Sequence, residues 1–392
     1  MSGSQLHLSR RHLLAIGGAA TLSGLAMPAI AQTADPIRIG VLQPFSGGLE
    51  ALGNQGAQGA ELAFLDANDA GGILGRKFEI IRADDATDPK TAVEQANDLI
   101  RRQKVSAIIG PVTSANRDAI RPTIERAKMP LLYATDYEGG VCSRYITCYS
   151  ALPAQWVDPM VAHAVETVGD SFYLVGSDYI WPQKMNAAFK TQAEKLKAKL
   201  VGEEYTPWGA KDYTATLRKI RDSGAKAVVI TIVGADAITF VKQFASAGMK
   251  DKIRLIFFGF SENYLAGLST EESDGILAPT DFTSSLTSPS AKDLKDRMAK
   301  RFGADAIVSN TVDAHWTLSR MYIEGVRRAG TDDKEKVTDA MVDQTIMSGN
   351  GEVHLRASDR HVDLNVLIAE AKAGKIEVIK DLGRISAPNQ CG

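Results

Sequence analysis

The chain has 392 residues, of which 44% are hydrophobic and 23% are charged, and its formal net charge at pH 7 is −2. This length corresponds to two or three domains of about 150 residues, and the near-neutral charge excludes a broad basic surface for nucleic acid. Three cysteines are too few for a disulfide scaffold or a Cys-rich zinc module. The 34 glycines show no regular period, which excludes collagen-like and short-repeat proteins.

The first 31 residues have the pattern of an export signal. They contain no acidic residue and two basic ones, Arg10 and Arg11, which precede an apolar run over 13–25. The segment 27–31 (MPAIA) ends in the A-x-A form that signal peptidase cleaves. The paired arginines resemble a twin-arginine signal, and the run is too short and glycine-rich to span a bilayer. We predict cleavage after residue 31 and a periplasmic, slightly acidic mature chain that does not span the membrane.

From residue 36 onwards, short apolar runs alternate with helical patterns. Strands are predicted at 37–42, 78–82, 105–109 and 131–134, and helices separate them, the last of these at 115–128. Asp88 and Pro89 are suited to the N-cap and first turn of one of these helices. Strand and helix in regular alternation indicate an α/β fold in which helices cover both faces of a parallel sheet.

The alternation restarts after residue 153 and predicts a second sheet. A polar stretch over 279–292 is typical of a segment that crosses between lobes. A hairpin is predicted from strands at 366–369 and 376–379, with its turn around Gly374. The hydrophobic periodicity also predicts further strands and helices. The strands are 171–175, 200–205, 227–232 and 254–258; the helices are 154–168, 184–199, 212–223, 236–247, 290–303, 310–329 and 332–343.

Export affects the expected state of the cysteines, since an oxidising compartment permits disulfides. Cys142 and Cys148 lie in one polar, glycine-flanked loop, and we predict that they are bonded to each other. Cys391, next to the C-terminus, is then left over. The alternative is that Cys142 and Cys148 are free thiols, because so short a loop must adopt a particular geometry to close.

Motifs for common enzyme chemistries are absent from the sequence. It contains no nucleotide-binding, zinc-protease or nucleophile-elbow signature. Gly53, Gly56 and Gly59 could imitate a phosphate-binding loop, but tight strand-to-helix turns are the commoner reason for such glycines. Four histidines follow the signal, scattered and not at metal-ligand spacing. We therefore expect no cofactor, no metal and no enzymatic activity.

Several segments, taken in order, resemble those of type I periplasmic substrate-binding proteins of ABC transporters. They are 37–42 (IRIGVL), 71–76 (GGILGR), 84–89 (DDATDP) and 110–114 (GPVTS). Two further segments, 133–139 (YATDYEG) and 176–182 (GSDYIWP), resemble the urea and short-chain amide branch of that family.

The resemblance covers essentially the whole mature chain and implies two Rossmann-like lobes joined by a hinge of crossover strands. The N-terminal lobe would comprise 36–153 plus about 283–345, and the C-terminal lobe 154–282 plus about 346–392. The implied partners are a small-molecule ligand and an inner-membrane ABC permease, with the protein itself a monomer.

In the first lobe, the resemblance implies that Ser114 and Thr135 hydrogen-bond the ligand and that Tyr133 lines the pocket. Asp136 stands where amide binders often have proline, and an added carboxylate there favours a cationic or strongly N–H-donating ligand. The alternative roles are helix capping for the two hydroxyls, core packing for the tyrosine, and simple exposure for Asp136.

In the second lobe, the resemblance implies that Tyr179 closes on the ligand with Trp181 behind it. Asp236 and Glu262 fall where relatives place polar contacts to ligand nitrogen. The four residues follow predicted strand ends, where open parallel sheets bind ligands. Their alternative roles are core packing for the aromatic residues, a helix N-cap for Asp236 and a solvated loop carboxylate for Glu262.

These features predict a solute-binding protein that delivers a small nitrogenous molecule, such as urea or a short-chain amide, to an ABC importer. One alternative is a branched-chain or other amino acid-binding protein, in which Ser114 and Thr135 hold the carboxylate and Glu262 the ammonium. Another is an amide-sensing regulatory protein, against which the export signal argues.

Overall fold

Two sheets organise the protein in a computed structural model that describes Met1 and residues 35–392. Apart from Met1, the predicted export signal, residues 1–31, therefore lies outside the described residues. Residues 35–392 belong to one unit, and none of their helices combines the length and apolar character needed to cross a bilayer.

The first sheet has five parallel strands, in the order β2-β1-β3-β4-β5. Buried aliphatic side chains fill the central strands, as expected when helices cover both faces of a parallel sheet. Its elements are β1 (Ile37–Gln43), α1 (Glu50–Asp69), β2 (Phe78–Asp84), α2 (Pro89–Arg101), β3 (Ala107–Ile109), α3 (Ser114–Arg126), β4 (Leu131–Tyr133) and β5 (Ile146–Cys148).

The second sheet begins with a further strand–helix alternation, and β6 to β10 pair in parallel in the order β10-β9-β8-β6-β7. The elements in chain order are α4 (Pro153–Thr167), β6 (Ser171–Ser177), α5 (Ile180–Lys195), β7 (Lys199–Thr206), α6 (Thr214–Asp222), β8 (Ala227–Thr231), α7 (Gly234–Ser246), β9 (Arg254–Phe257), α8 (Glu262–Leu265), α9 (Thr270–Ser273) and β10 (Leu277–Thr280).

The last third of the chain leaves the second sheet and returns to it. Two of its helices, α10 and α11, pack against α1 of the first sheet, whereas β13 pairs antiparallel with β10 of the second. The elements are α10 (Pro289–Phe302), α11 (Asn310–Ala329), α12 (Lys334–Ala340), β11 (Gln344–Ser348), β12 (Gly351–Leu355), β13 (Val362–Lys372) and β14 (Lys375–Ile385).

This path agrees with a two-lobed α/β fold, which confirms the predicted fold class; the lobe boundaries stay a prediction. The predicted crossing segment begins within β10, a short strand that the sequence pattern did not indicate. Helix α5 starts four residues earlier than predicted, because Trp181 and Pro182 form its buried first turn.

The predicted disulfide between Cys142 and Cys148 is wrong. Cys142 is bonded to Cys391, 249 residues away in sequence, and Cys148 is free and buried. Cys148 belongs to β5, where it pairs with Tyr133 of β4 and packs in the core, out of reach of the loop that carries Cys142. The C-terminal tail returns to that loop, where the side chain of Gln390 accepts a hydrogen bond from the backbone of Gly140.

We expect one titratable thiol per chain when the protein is unfolded without reductant, and none in the native state. Cys148 is buried, and burial raises the pKa of its thiol to about 12, so the native chain holds no reactive thiolate. Colorimetric thiol titration measures both values.

Two variants identify the cysteine that supplies the titratable thiol. Cys148→Ser should remove it, whereas Cys391→Ser should raise the count in the unfolded, unreduced protein to two by freeing Cys142. Three thiols in the unsubstituted protein, or a count unchanged by Cys148→Ser, would contradict the observed pairing.

Candidate ligand-binding site

A cavity lies where the carboxyl ends of the two parallel sheets face each other. It is lined by segments that follow eight strands of the two sheets and by the first turns of α11, and it encloses about 640 Å³ including its open mouth. This is the size of a small-molecule site. The lining includes Leu49, Ser114, Thr135, Asp136, Tyr149 and Ser150 from the first sheet and Tyr179, Trp181, Val233, Phe258, Gly259, Tyr264 and Asp281 from the second.

Five of the eight predicted ligand contacts line this cavity. Ser114 begins α3, Thr135 and Asp136 follow β4, and Tyr179 and Trp181 are at the start of α5. The structure brings them together because parallel strands place the loops after their carboxyl ends at one edge of each sheet.

Tyr133 does not line the cavity, contrary to prediction. Its side chain is fully buried, its hydroxyl donates to the carbonyl oxygen of Val112 at 3.0 Å, and its ring packs edge-on against Tyr137. Burial raises the pKa of its hydroxyl. Tyr133 is therefore a core residue that supports the loop before Ser114.

The carboxylates of Asp236 and Glu262, two further predicted contacts, hold loops of the second sheet. Asp236, in the first turn of α7, accepts a hydrogen bond from the backbone of Gly209 at 2.7 Å. Glu262 accepts from the backbone of Ser284 at 2.6 Å and from the Thr283 hydroxyl at 3.0 Å, so it ties α8 to the chain that follows β10. Neither residue is among those that line the cavity.

A buried ion pair supports Ser114 from behind. The Arg117 guanidinium lies 2.8 Å from Glu138, between the rings of Tyr133 and Tyr137 at 5.0 and 4.9 Å from their centroids. The Ser114 hydroxyl donates to the other oxygen of Glu138 at 2.6 Å. A serine hydroxyl has a single proton, so Ser114 can offer a ligand only its oxygen, as an acceptor.

Asp136 and Asp281 give the cavity an acidic character. Burial raises the pKa of Asp136 to about 7. Burial, together with the negative charges of Asp136 and Asp313, raises the pKa of Asp281 well above its usual range. Among the described residues that line the cavity, there is no lysine, arginine or histidine. The carboxylates therefore face each other across the cleft without a basic partner from its walls.

Two polar atoms in the cavity wall have no hydrogen-bond partner within residues 35–392. They are Oγ1 of Thr135 and Nε1 of Trp181, and the tryptophan side chain is only 3% exposed. A buried polar atom without a partner is costly, and such atoms in the wall of a cavity indicate that a bound molecule satisfies them.

Glycine allows the second sheet to approach Asp136 closely. Gly259 has a φ of +86°, and a Cβ atom there would lie 2.9 Å from Oδ2 of Asp136. A Cβ atom at Gly234, at the start of α7, would lie 2.6 Å from the backbone oxygen of Gly48. The two sheets are thus held together around the cavity, in a closed arrangement.

Several lining residues were not among the sequence predictions. Asp281 follows β10, and Tyr149 and Ser150 follow β5; both strands are too short for a clear apolar pattern. Asn310 and Thr311 begin α11, and the amide of Asn310 donates to Asp136 at 3.5 Å. The predicted start of that helix at residue 310 was the one signal that could have identified them.

A cavity enclosed by the strand ends of two parallel sheets, with chain crossing between them, defines a two-lobed small-molecule-binding protein. Within residues 35–392, no three His, Cys, Asp or Glu residues are grouped to hold a metal ion. The chain belongs to the periplasmic binding protein family, whose sequence model matches residues 36–375.

Individual relatives agree with this assignment. An amino acid binding protein of Pseudomonas aeruginosa is 29% identical over 263 residues, which cover 62% of this chain. The match spans 64% of the relative's own length, which is less than two thirds. The Leu/Ile/Val-binding protein homolog 3 of Brucella melitensis is 27% identical over 84% of this chain and 88% of its own length. A solute-binding protein of an ABC transporter from R. palustris, solved with benzoate, has the same fold, with a TM-score of 0.82 at 20% identity over 91% of this chain and 99% of that one.

Proposed function

We propose that this protein is an exported solute-binding protein that captures a small nitrogenous molecule between its lobes and delivers it to an ABC importer. The acidic cavity between the two sheets is the observation that carries this proposal. The names of the relatives, which refer to amino acid and Leu/Ile/Val binding, support a nitrogenous solute. The signal pattern of residues 1–31 supports a periplasmic location. The paired Arg10 and Arg11 support export by the twin-arginine route.

Ligand capture in this proposal depends on closure of the lobes. Thr135 and Asp136 approach the ligand from the first sheet, and Trp181 and Asp281 from the second, so a ligand contacts all four only in the closed state. A ligand that contacts both sheets shifts the open–closed equilibrium towards closure. The importer would then receive the closed, loaded form.

We expect native protein to release one small nitrogen-containing compound on denaturation, and the refolded, ligand-free protein to bind that compound again. Mass spectrometry identifies the compound, and isothermal titration and thermal unfolding measure its return. A panel of urea, acetamide, amino acids and small amines serves as the starting set of probes. A native protein that releases no compound and binds none of the panel would contradict the proposal.

An amino acid is the second candidate ligand, favoured by the named relatives. The structure supports a different assignment from the one that the resemblance implied, since Glu262 is not among the cavity-lining residues and the Ser114 hydroxyl donates to Glu138. The ammonium would instead lie near Asp136 and Asp281, and the carboxylate near Thr135 and Trp181. Loss of binding when the carboxylate is esterified would favour this candidate over an amide or amine.

A regulatory sensor of amides is the candidate from another class. Such sensors act in the cytoplasm on a partner protein, so the two classes differ in where the mature chain is found. A chain that begins after residue 31 in a periplasmic extract would support the transport protein, and an uncleaved cytoplasmic chain would support the sensor.

A further inference from the structure

We propose that the ligand carries a net positive charge on nitrogen, and that Asp136 and Asp281 bind this charge from opposite sheets. The inference rests on the proposed function and narrows its ligand to amidinium, guanidinium or ammonium compounds. Asp136 follows β4 of the first sheet and Asp281 follows β10 of the second, so one cation between them would also link the two lobes.

The charge balance of the cavity favours a cation. Two carboxyl groups line one narrow space, where the charge of Asp136 disfavours ionisation of Asp281 and burial disfavours ionisation of both. The buried arginine behind Ser114, Arg117, is already paired with Glu138. A positively charged ligand stabilises the ionised form of both groups, whereas an anionic or neutral ligand supplies no counter-charge and leaves their ionisation unfavourable.

The hydrogen-bonding groups of the wall agree with this charge. The Ser114 hydroxyl donates its one proton to Glu138 and accepts a long contact from Arg117 at 3.5 Å, so its remaining lone pair suits a ligand N–H and not a ligand carboxylate. Oγ1 of Thr135 is free to accept a second N–H. The indole N–H of Trp181, 3% exposed and without an acceptor, adds a place for an oxygen of the same ligand or of a water bound with it.

Aromatic rings complete a wall that suits a cation. Tyr179, Trp181, Phe258 and Tyr264 line the cavity, and Tyr179 is held in place by Trp208, at a ring-centroid distance of 5.3 Å. Aromatic faces attract desolvated cations, and the interaction is strongest where water is excluded. The cavity therefore combines anionic, acceptor and aromatic groups, and each of these groups is complementary to a cationic nitrogen group.

The test compares cations with neutral molecules of the same shape: guanidinium with urea, and acetamidinium with acetamide. Each is titrated at millimolar concentration into ligand-free protein at pH 8 and constant ionic strength, by calorimetry and thermal unfolding. We expect at least one cation to bind ten-fold or more tightly than its neutral counterpart. Asp136→Asn and Asp281→Asn should each weaken that binding ten-fold or more.

Asp178→Asn is the matched control, since it removes the same charge from an exposed position one residue before Tyr179. It should leave cation binding unchanged. If Asp281→Asn fails to fold, the cationic ligand is tested by comparing cation and neutral binding in the unsubstituted protein and in Asp136→Asn.

Three results would overturn the inference: neutral members that bind as tightly as the cations, cation binding that survives both Asp substitutions, or no binding by any of the four. The proposed function is tested separately by the compound released from native protein. Release of an anionic or neutral compound would contradict the cationic ligand while leaving solute binding intact.

Discussion

Without ligand, the Asp136→Asn variant is expected to be more stable than the unsubstituted protein at pH 8, by about 2–4 kcal/mol, and nearly equal to it at pH 4. The pKa of Asp136 is raised from 3.8 to about 7 by burial, so folding at pH 8 forces an ionised carboxylate into the cavity wall. Below pH 4 the carboxyl is protonated in both the folded and the unfolded chain. The cost therefore appears as the pH rises from about 4 to about 7 and stays constant above that.

No positively charged side chain of the described cavity lining offsets the effect of burial on the pKa of Asp136. Asp281 on the opposite wall is also acidic, and the Asn310 amide donates to Asp136 at 3.5 Å. Asparagine removes the charge and keeps the shape, so it relieves the cost of burying an ionised carboxylate. In our proposal the same substitution weakens ligand binding. Binding sites commonly show this trade-off, in which a variant gains stability and loses function.

Differential scanning calorimetry from pH 4 to pH 8 measures this difference, and it avoids urea and guanidinium, which are candidate ligands here. Asp178→Asn controls for the change in net charge and should alter stability by less than about 0.5 kcal/mol at any pH. An Asp136→Asn variant that loses stability at pH 8, or gains the same amount at pH 4, would contradict the assigned pKa.

Replacement of Arg117 by methionine is expected to lower the free energy of unfolding by about 3–5 kcal/mol. The guanidinium and the Glu138 carboxylate are both buried and 2.8 Å apart, and the substitution leaves Glu138 without its counter-charge. The contacts of Arg117 with the rings of Tyr133 and Tyr137 are lost as well. Calorimetry at pH 7 measures the loss.

Arg102→Met provides the matched control. Arg102, at the C-terminal end of α2, pairs with Asp98 of the same helix, and its side chain is 81% exposed. We therefore expect Arg102→Met to lower the free energy of unfolding by less than about 1 kcal/mol. The double variant Arg117→Met/Glu138→Gln should recover part of the lost stability, because it removes the unpaired charge. A single Arg117→Met variant within 1 kcal/mol of the unsubstituted protein would contradict the buried-pair assignment.

Local patterns in the sequence predicted much of the fold. The helix at 310–329 has the predicted bounds, and the hairpin formed by β13 and β14 turns at Gly374 as expected. The alternation of apolar strands with amphipathic helices predicted parallel sheets, and ordered motifs indicated the family that the family match confirms. Such features depend on residues close together in the chain, where side-chain period, capping and turn chemistry act directly.

The identity of the cavity-lining groups was only partly accessible in the sequence. Position after a strand end selected Ser114, Thr135 and Asp136, which line the cavity, but the same rule also selected Asp236 and Glu262, which hydrogen-bond to loops. A carboxylate after a strand can turn into the cleft or back onto its own lobe. The choice depends on which backbone N–H groups lie within reach, and distant segments supply these.

The sequence alone therefore determined the α/β alternation, the family and the edge of the sheets at which the site lies, because local periodicity and short motifs carry that information. Tertiary structure alone decided that Cys142 pairs with Cys391, that Cys148 is buried, and that Asp281 faces Asp136 across the cavity. These pairings join segments more than a hundred residues apart or bury a side chain against a neighbouring strand. They follow from how the two sheets and the C-terminal tail pack together, which no local pattern encodes.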